Sequence, residues 1–408
     1  MPLRTGASRN RWLIVIAAGA IMGTALGVRH VQGLFLQPVV TTQGWSREAF
    51  GFALALQNLV WGLAQPLTGM VADRFGSAKV LFLGMLIYAL GLLLMGSAAG
   101  ATEFALSNGV LIGVALSGTA FGAVYGALSR IFSGSDRAWA LAVGGALGGL
   151  GQFVMVPFAQ TLINRLNWQG AAIALCLVML ALAPLAALLR DRPQPLGHGH
   201  ESSVSVTRAI RQAFSHRGFW LLCLGFTACG FQLAFIAAHL PAYLIDRGLD
   251  PEQASATLAI IALTNIFGTY ACARWGSRWA AKKVLSAVYA TRVLAMLVFL
   301  ATPVTPSSAC LFAATMGFLW LGTVPLTNGV LAQIFGVRYI TTLFGFVFLS
   351  HQIGGFLGVW LGGKIYDGYG SYDLLWLGSF VFGLVSALVH WPIDDRPITL
   401  RTLETNPA

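Results

Sequence analysis

Charged residues are scarce in this chain of 408 residues. Asp, Glu, Lys and Arg together make up 10% of it, whereas a soluble domain carries about 25%. Hydrophobic residues make up 57%, and the mean hydropathy is +0.74. This composition excludes an ordinary soluble domain and indicates an integral membrane protein.

Long apolar runs supply the segments that such a protein needs. Each crossing of the bilayer takes about 20 apolar residues. Every crossing should be a helix, because hydrocarbon offers no partner for open backbone groups. We therefore predict an all-α integral membrane fold with twelve transmembrane helices, at about residues 11–40, 48–71, 79–98, 104–131, 138–163, 170–189, 218–245, 253–273, 284–301, 307–335, 340–363 and 373–391.

Acidic residues are absent from the interior of these spans. All 14 Asp and Glu lie at span ends or between spans, while five basic or titratable side chains lie well inside: Arg29, His30, His239, Arg292 and His351. A charge in hydrocarbon is costly, so it usually faces a protein interior or a water-filled cavity and has a function there. A cavity with cationic groups and no carboxylate should prefer an anion.

The net charge of +11 does not require a nucleic-acid partner. With the N-terminus placed in the cytoplasm, 19 of the 25 Lys and Arg fall on the cytoplasmic side, as the positive-inside rule predicts. Four fall outside, namely Arg47, Arg165, Arg247 and Lys364. We expect a multi-pass protein of the plasma membrane (the inner membrane of a bacterium) with both termini cytoplasmic.

Motifs for catalysis, metals and nucleotides are also missing. The five cysteines lie in predicted spans without metal or disulfide spacing. The sequence has no His-Glu-x-x-His, no Gly-x-Ser-x-Gly and no phosphate-binding loop. We expect no enzymatic activity, no cofactor and no metal, and transport that ATP does not drive.

A polar segment near the middle divides the chain. We predict an N-terminal six-helix half at 1–189, a cytoplasmic linker at 190–217 with a short basic helix at about 204–214, and a C-terminal six-helix half at 218–408. The halves repeat one another at offsets of 203 to 204, since Pro38, Gly44 and Glu48 match Pro241, Gly248 and Glu252. Repeated halves with a site between them at the midplane are a transporter architecture.

Three short motifs indicate the superfamily. The loop GMVADRFG at 69–76 contains Gly69, Asp73, Arg74 and Gly76, and it resembles the signature loop of the major facilitator superfamily in the expected place. Ser135-Asp136-Arg137 and NWQGA at 167–171 match two further elements of that superfamily. A generic polar turn is the alternative for the loop. The resemblance implies the major facilitator fold and alternating access.

Finer resemblance covers nearly the whole chain. GVRH at 27–30, GAVYG at 122–126, HQIGGFLG at 351–358 and DGYGSYD at 367–373 are similar to the monocarboxylate transporter and oxalate:formate antiporter group. That group is said to use a cation in helix one, where Arg29 and His30 stand, and a Lys on helix eleven, where His351 stands. Its usual arginine on helix eight is missing, because Asn265 and Thr269 occupy the matching positions.

The candidate residues form three sets. Predicted substrate-binding residues are Arg29, His30, Gln57, Tyr125, Gln152, Asn265, Asn328 and His351, with Asn58, Gln232 and Gln352 as further polar candidates. His351 and His30 are the proton-coupling candidates, since histidine titrates near physiological pH. The predicted gate comprises Gly69, Asp73, Arg74, Gly76, Arg137 and His239.

Some of these assignments have structural alternatives. On an ideal helix His30 points about 100° away from Arg29, so the two need not share a cavity. His239 fits a gate or an interfacial position. We assign Arg292 to a structural role.

Together these features predict a secondary active transporter of a small organic anion, with a monocarboxylate as the first choice. Proton coupling through histidine, anion exchange and uniport are all open. The protein would act as a monomer in the lipid bilayer. The alternatives are a major facilitator exporter of another small molecule, such as a drug or a metabolite, and a membrane sensor without transport activity.

Overall fold

Regular secondary structure in this protein is entirely helical over the part of the chain that the computed structural model describes, residues 11–191, 206–336 and 340–398. The α-helices are α1 (Arg11–His30), α2 (Leu36–Gln43), α3 (Arg47–Phe75), α4 (Ser77–Gly96), α5 (Ala101–Phe104), α6 (Ile112–Thr119), α7 (Phe121–Ile131), α8 (Gly134–Leu182), α9 (Val206–Phe214), α10 (Arg217–Asp246), α11 (Pro251–Gly276), α12 (Ala281–Ala301), α13 (Pro306–Phe318), α14 (Thr323–Phe335), α15 (Ile340–Tyr369) and α16 (Asp373–His390).

Short irregular helical segments join several of these helices. A 3-10 segment, Val31–Phe35, connects α1 to α2, and Ala183–Leu189 continues α8. A wider π-helical segment, Ala105–Leu111, connects α5 to α6. Such segments often mark functional sites inside helices, and two of them contribute to the site described below.

Within the described residues, ten helical stretches are long and apolar enough to cross a membrane. One of them, Trp139–Leu189, has 51 residues, which is about 75 Å of helix against about 30 Å of hydrocarbon. Its backbone breaks at Asn167, where φ is 58°. The helix α3 has 29 residues and is also long enough. The all-helical membrane fold is confirmed, while the number twelve stays a prediction.

The break at Asn167 has a local cause. Asparagine tolerates positive φ better than most residues do, and its Oδ1 accepts a hydrogen bond from the backbone N–H of Gly170 at 3.0 Å. This bond caps the second part of the long helix. The neighbouring Trp168 is buried and donates from Nε1 to the hydroxyl of Thr42 at 2.8 Å. The NWQGA motif therefore reverses the chain between two crossings.

Helices from before and after residue 192 pack closely at one end of the bundle. This end carries the segments 43–47, 246–251 and 369–373 and lies opposite the described ends of the chain; we call it the distal end. There α3 packs against α15, and a Cβ added at Gly363 would collide with the backbone of Arg47. The small side chains let the helices approach, as is common where membrane helices meet.

Polar contacts cross between the same two parts of the chain at the distal end. The guanidinium of Arg47 on α3 binds both carboxylate oxygens of Asp246 on α10, at 2.6 and 2.8 Å, and donates to the hydroxyl of Tyr372 at 2.9 Å. The carboxylate of Asp367 accepts from the backbone N–H groups of Arg47 and Glu48. We call Arg47, Asp246, Asp367 and Tyr372 the distal network. It holds the bundle closed at this end.

Another network fixes the loop between α3 and α4. Asp191 accepts from the backbone N–H and the hydroxyl of Ser77 at 2.7 and 2.8 Å, and from Nε of Arg130 at 2.6 Å. Gly76 has a φ of 90°, and a Cβ there would lie 3.2 Å from Asp191. The loop motif thus receives a carboxylate at the N-terminus of α4, where the helix dipole favours it.

Candidate functional site

A small cavity, lined mainly by buried residues, lies where α1 and α3 meet α10 and α15. It offers about 20 Å³ to water-sized contents, which is room for about one water molecule. Four polar side chains and six small or apolar residues line it: Arg29, Gln32, Gln57, Asn58, Gly33, Leu54, Ala234, Ala237, Ala238 and Val359. The polar side chains all come from α1, α3 and the 3-10 segment. The predicted residues Arg29 and Gln57 are therefore brought together.

Arg29 lies in the last turn of α1 and is half-buried. Its Nη2 donates to Oδ1 of Asn58 at 2.5 Å, and its guanidinium lies 5.0 Å from the ring centre of Trp61. The orientation of Asn58 is fixed, because its Nδ2 donates to the backbone carbonyl of Leu54 at 3.0 Å. Trp61 adds a cation–π contact to the same guanidinium. The side chain is thus held firmly by α3.

Neither contact neutralises the charge of Arg29. Asn58 and Trp61 are uncharged, and within the described ranges no ion pair involves Arg29. Its Nε–H, which is buried, has no hydrogen-bond partner there. A buried cation that lacks a counter-charge is costly, and the cost falls when an anion binds. The cavity therefore has the electrostatics of an anion site.

A chain of three amides runs along the cavity from α3. Nε2 of Gln57 donates to both the backbone carbonyl and Oδ1 of Asn108, each at 2.9 Å. Nδ2 of Asn108 then donates to Oε1 of Gln32 at 3.2 Å. Nε2 of Gln32 is buried and has no partner among the described residues. An unsatisfied buried polar group costs about 1–3 kcal/mol, so this donor requires a functional explanation.

Sequence reasoning missed Gln32 and Asn108. Gln32 lies three residues after Arg29 in the 3-10 segment, where residues three apart share a face, so the spacing could have identified it. Asn108 lies in the π-helical segment. The only signal for Asn108 in the sequence was a polar residue within an apolar run.

His30 lies against α11 and does not line this cavity. It is buried, and its Nε2 donates to the backbone carbonyl of Leu258 at 2.9 Å. Its ring is nearly perpendicular to that of Trp320, with the ring centres 6.4 Å apart. Both contacts join α1 to the C-terminal part of the chain. A role in substrate binding or proton coupling stays a prediction for His30.

His351 lies on α15, about two helical turns before Val359, the α15 residue that lines the cavity. Its ring is half-buried between Phe226 and Phe348, with ring centres at 4.8 and 6.0 Å, and its Nδ1 lies 3.2 Å from Oε1 of Gln352. Gly355, one turn further along, lies against Asn58, since an added Cβ would be 3.4 Å from that side chain. Two aromatic rings, those of Trp61 and Phe348, connect Arg29 to His351.

The other predicted substrate residues lie outside this cavity. Tyr125 is half-buried, and its hydroxyl faces Gly145. Gln152 is buried on α8. Oδ1 of Asn265 accepts from Thr269 and from the backbone N–H of Leu321, and Nδ2 of Asn328 donates to the carbonyl of Val324. Their assignment to the substrate path stays a prediction.

The predicted gate residues lie at both ends of the bundle. His239 is buried in contact with the distal network: Nδ1 lies 3.1 Å from the hydroxyl of Tyr372, and Nε2 donates to the carbonyl of Val359 at 2.9 Å. At the other end Arg74 is exposed, and Arg137 donates to the carbonyl of Phe132. Gly69 lies inside α3, so the predicted loop is helical there, and Gly76 alone separates α3 from α4. The side chain of Asp73 lies outside the described residues.

Arg292 has structural partners. It is fully buried on α12, and its Nη2 donates to the backbone carbonyls of Leu319 and Trp320 at 2.5 and 2.7 Å. These carbonyls follow the end of α13, where a cation is favoured by the helix dipole. Arg292 thus caps the break between α13 and α14.

A second cavity of about 390 Å³ lies between α8 and α11 near the distal end. Its polar residues include Gln160, Asn164 and Glu252, and it contains none of the predicted substrate residues. The described residues include no group of three or more His, Cys, Asp and Glu placed to hold a metal ion.

A multi-helix membrane protein with a cationic cavity, lined by helices from before and after residue 192, fits a transporter architecture. The profile of the Major Facilitator Superfamily matches residues 10–359. The chain therefore belongs to the Major Facilitator Superfamily, and it is a membrane transporter.

Several named transporters are similar to this chain. The chain is 28% identical to monocarboxylate transporter 13 of Bos taurus, over 93% of this chain and 89% of that one. It is 25% identical to the oxalate:formate antiporter of Oxalobacter formigenes, over 97% and 94%. The fold is similar to that of the nucleoside transporter NupG, with a TM-score of 0.76 at 15% identity over 93% and 99%. The predicted resemblance to the monocarboxylate transporter and oxalate:formate antiporter group is confirmed.

Proposed function

We propose that this protein is a secondary active transporter of a small organic anion, a monocarboxylate first, and that Arg29 binds the carboxylate. One observation carries this proposal. Among the described residues, the membrane-embedded cation Arg29 has only uncharged partners and a buried Nε–H without a partner, and it lines the same cavity as Gln32, whose NH₂ group also has none. A guanidinium can bind a carboxylate through two parallel hydrogen bonds.

The named relatives support the choice of substrate class. One is called a monocarboxylate transporter and another an oxalate:formate antiporter, and both names denote carboxylates. A dicarboxylate fits this cavity less well, because Arg29 is the only Lys or Arg among its lining residues.

Binding requires the helices to separate. The cavity has room for about one water molecule, so a carboxylate enters when α10 and α15 move away from α1 and α3. We propose that two six-helix halves, 1–189 and 218–408, rock about this site, and that the distal network closes one side. The excess of Lys and Arg near the termini supports a cytoplasmic location for the end opposite the distal end, and we propose the plasma membrane as the location.

Coupling is assigned to His351. The ring of His30 is buried and bonded to a backbone carbonyl, whereas His351 is half-buried one turn from the Asn58 layer. A histidine that gains a proton as the anion binds would balance the charge of the substrate. Anion exchange is the alternative, since an exchanger needs no proton carrier.

Uptake into proteoliposomes tests the proposal. Labelled short carboxylates should accumulate when a pH gradient (proton coupling) or preloaded unlabelled carboxylate (exchange) is imposed. The proposal fails if neither gradient drives uptake of any carboxylate, and a major facilitator exporter of another small molecule then becomes the better assignment. His351→Gln should abolish the response to pH while counterflow persists.

Arg29→Gln tests the site itself. This variant should lose anion transport at least tenfold, because it removes a charge-assisted bond of about 1.5–3 kcal/mol, while expression and elution in detergent remain normal. The matched control is Arg165→Gln, which removes an exposed arginine on α8. Normal transport by Arg29→Gln would refute the assignment.

A further inference from the structure

The amide chain at the cavity has a fixed direction. It begins at the backbone carbonyl of Asn108, which can only accept a hydrogen bond. The amide of Gln57, 2.9 Å away, must therefore present its NH₂ group there. That NH₂ also meets the side-chain oxygen of Asn108, so the NH₂ of Asn108 must point the other way, toward Gln32.

The direction decides which atom of Gln32 is free. Nδ2 of Asn108 donates to Oε1 of Gln32 at 3.2 Å, so the acceptor of Gln32 is occupied and its NH₂ group is not. Gln32 is 2% exposed and lines the cavity beside Arg29. Each side chain carries one buried N–H group that has no hydrogen-bond partner among the described residues. Both N–H groups are therefore left for a ligand.

We infer that Gln32 is a specificity-determining residue, which donates a hydrogen bond to an acceptor on the carbon next to the substrate carboxylate and disfavours a donor there. Asn108 and Gln57 are positioning residues, because they hold the amide of Gln32 in this orientation. The inference rests on the proposed function, in which Arg29 binds the carboxylate. Arg29 and Gln32 are three residues apart on one face, so an atom close to the bound carboxylate meets Gln32.

The chemical consequence is a ranking of otherwise matched acids. An oxo group accepts a hydrogen bond, a methylene group neither accepts nor donates, and an ammonium group only donates and adds a positive charge beside Arg29. The protein should therefore prefer a 2-oxo acid to the unsubstituted acid, and both to the 2-amino acid.

Competition for uptake tests this ranking with three-carbon acids as probes. Pyruvate, propionate and alanine are compared as inhibitors of labelled pyruvate uptake by the full-length protein in proteoliposomes. Pyruvate should inhibit about tenfold better than propionate, which corresponds to 1.4 kcal/mol, and alanine should not inhibit. Equal inhibition by pyruvate and propionate would overturn the inference and leave the proposed function intact. Absence of any carboxylate uptake would instead refute the proposed function.

Variants test whether the preference for pyruvate over propionate depends on the amide chain. Gln32→Leu should bring the pyruvate-to-propionate ratio close to one through weaker pyruvate binding, with propionate inhibition unchanged. Asn108→Leu frees the amide of Gln32 to rotate, so the ratio should fall part of the way. The control is Gln160→Leu, a buried glutamine on α8 that lies in the other cavity and should keep the wild-type ratio. A tenfold ratio that survives in Gln32→Leu would overturn the inference.

Discussion

Asp246→Asn should open the distal end of the bundle. Asp246 receives two hydrogen bonds from the guanidinium of Arg47, at 2.6 and 2.8 Å. The side chains are 8% exposed for Arg47 and 25% for Asp246, so this ion pair is screened less than an ordinary surface pair. The pair joins α3 to α10, which belong to the two parts of the chain that we propose to separate when this end opens.

The expected magnitude follows from the two bonds. Hydrogen bonds to charged groups contribute about 1.5–3 kcal/mol each. The asparagine keeps one acceptor for Arg47, so the substitution should destabilise the distal-closed state by about 2 kcal/mol. The ratio of distal-open to distal-closed protein should then rise by about 30-fold. A state that was scarcely populated would become detectable.

The assay is double electron–electron resonance, which measures the distance between two spin labels. Spin labels at Thr41 on α2 and Gln253 on α11, both exposed, report the separation across the distal end. Cys310, the one native cysteine of the five that is not buried, is first replaced by Ser. The Asp246→Asn protein should show a second, longer distance.

The control removes a carboxylate whose ion pair lies entirely within the C-terminal part of the chain. Arg247 and Asp373 form an exposed pair at 3.8 Å, with both residues in the C-terminal part, and such pairs contribute about 0–1 kcal/mol. Asp373→Asn should leave the distance distribution unchanged. The reasoning is refuted if Asp246→Asn also leaves it unchanged.

Three further predictions concern stability, each measured by thermal unfolding in detergent. Burial raises the pKa of Asp191, but hydrogen bonds from Arg130 and Ser77 outweigh this effect, so the pKa lies below its usual value. The stability that the carboxylate contributes is present above about pH 4 and is lost as the pH falls through the lowered pKa. Asp191→Asn should therefore lose less stability on acidification than the wild-type protein. Gly76→Ala should destabilise by about 1–2 kcal/mol because φ is 90°, whereas Gly69→Ala, a helical position with nothing within 4 Å, should be neutral or stabilising. Arg292→Met should destabilise by about 2–4 kcal/mol while the ranking of substrates stays unchanged; an altered ranking would contradict its structural role.

The sequence predicted the apolar framework and the buried cation well. Arg29 stood out because a cation in hydrocarbon needs a reason, and the structure places it at a cavity. The turn at Asn167 followed from a motif whose capping bond is local. Features that depend on neighbouring residues along one helix could therefore be predicted from the sequence.

Contacts between helices that are distant in the sequence could not be predicted from it. Gln57 and Asn108 meet across 51 positions, and Arg47 and Asp246 across 199. Arg47 was assigned to a loop outside the membrane, where a lone charge needs no explanation. Its role in the distal network arises only when α3, α10 and α15 pack together. The 3.6-residue period likewise says that His30 and Arg29 diverge, but it does not say which of them faces a cavity.

The contact of Asp367 with α3 makes the first turn of that helix depend on the closed arrangement. Ser46 satisfies the N–H of Ala49 within α3, but the N–H groups of Arg47 and Glu48 donate to a carboxylate on α15. When the distal end opens, these two N–H groups must bind water instead. Amide hydrogen exchange at Arg47 and Glu48 therefore measures how often the distal end opens, without any label on the protein.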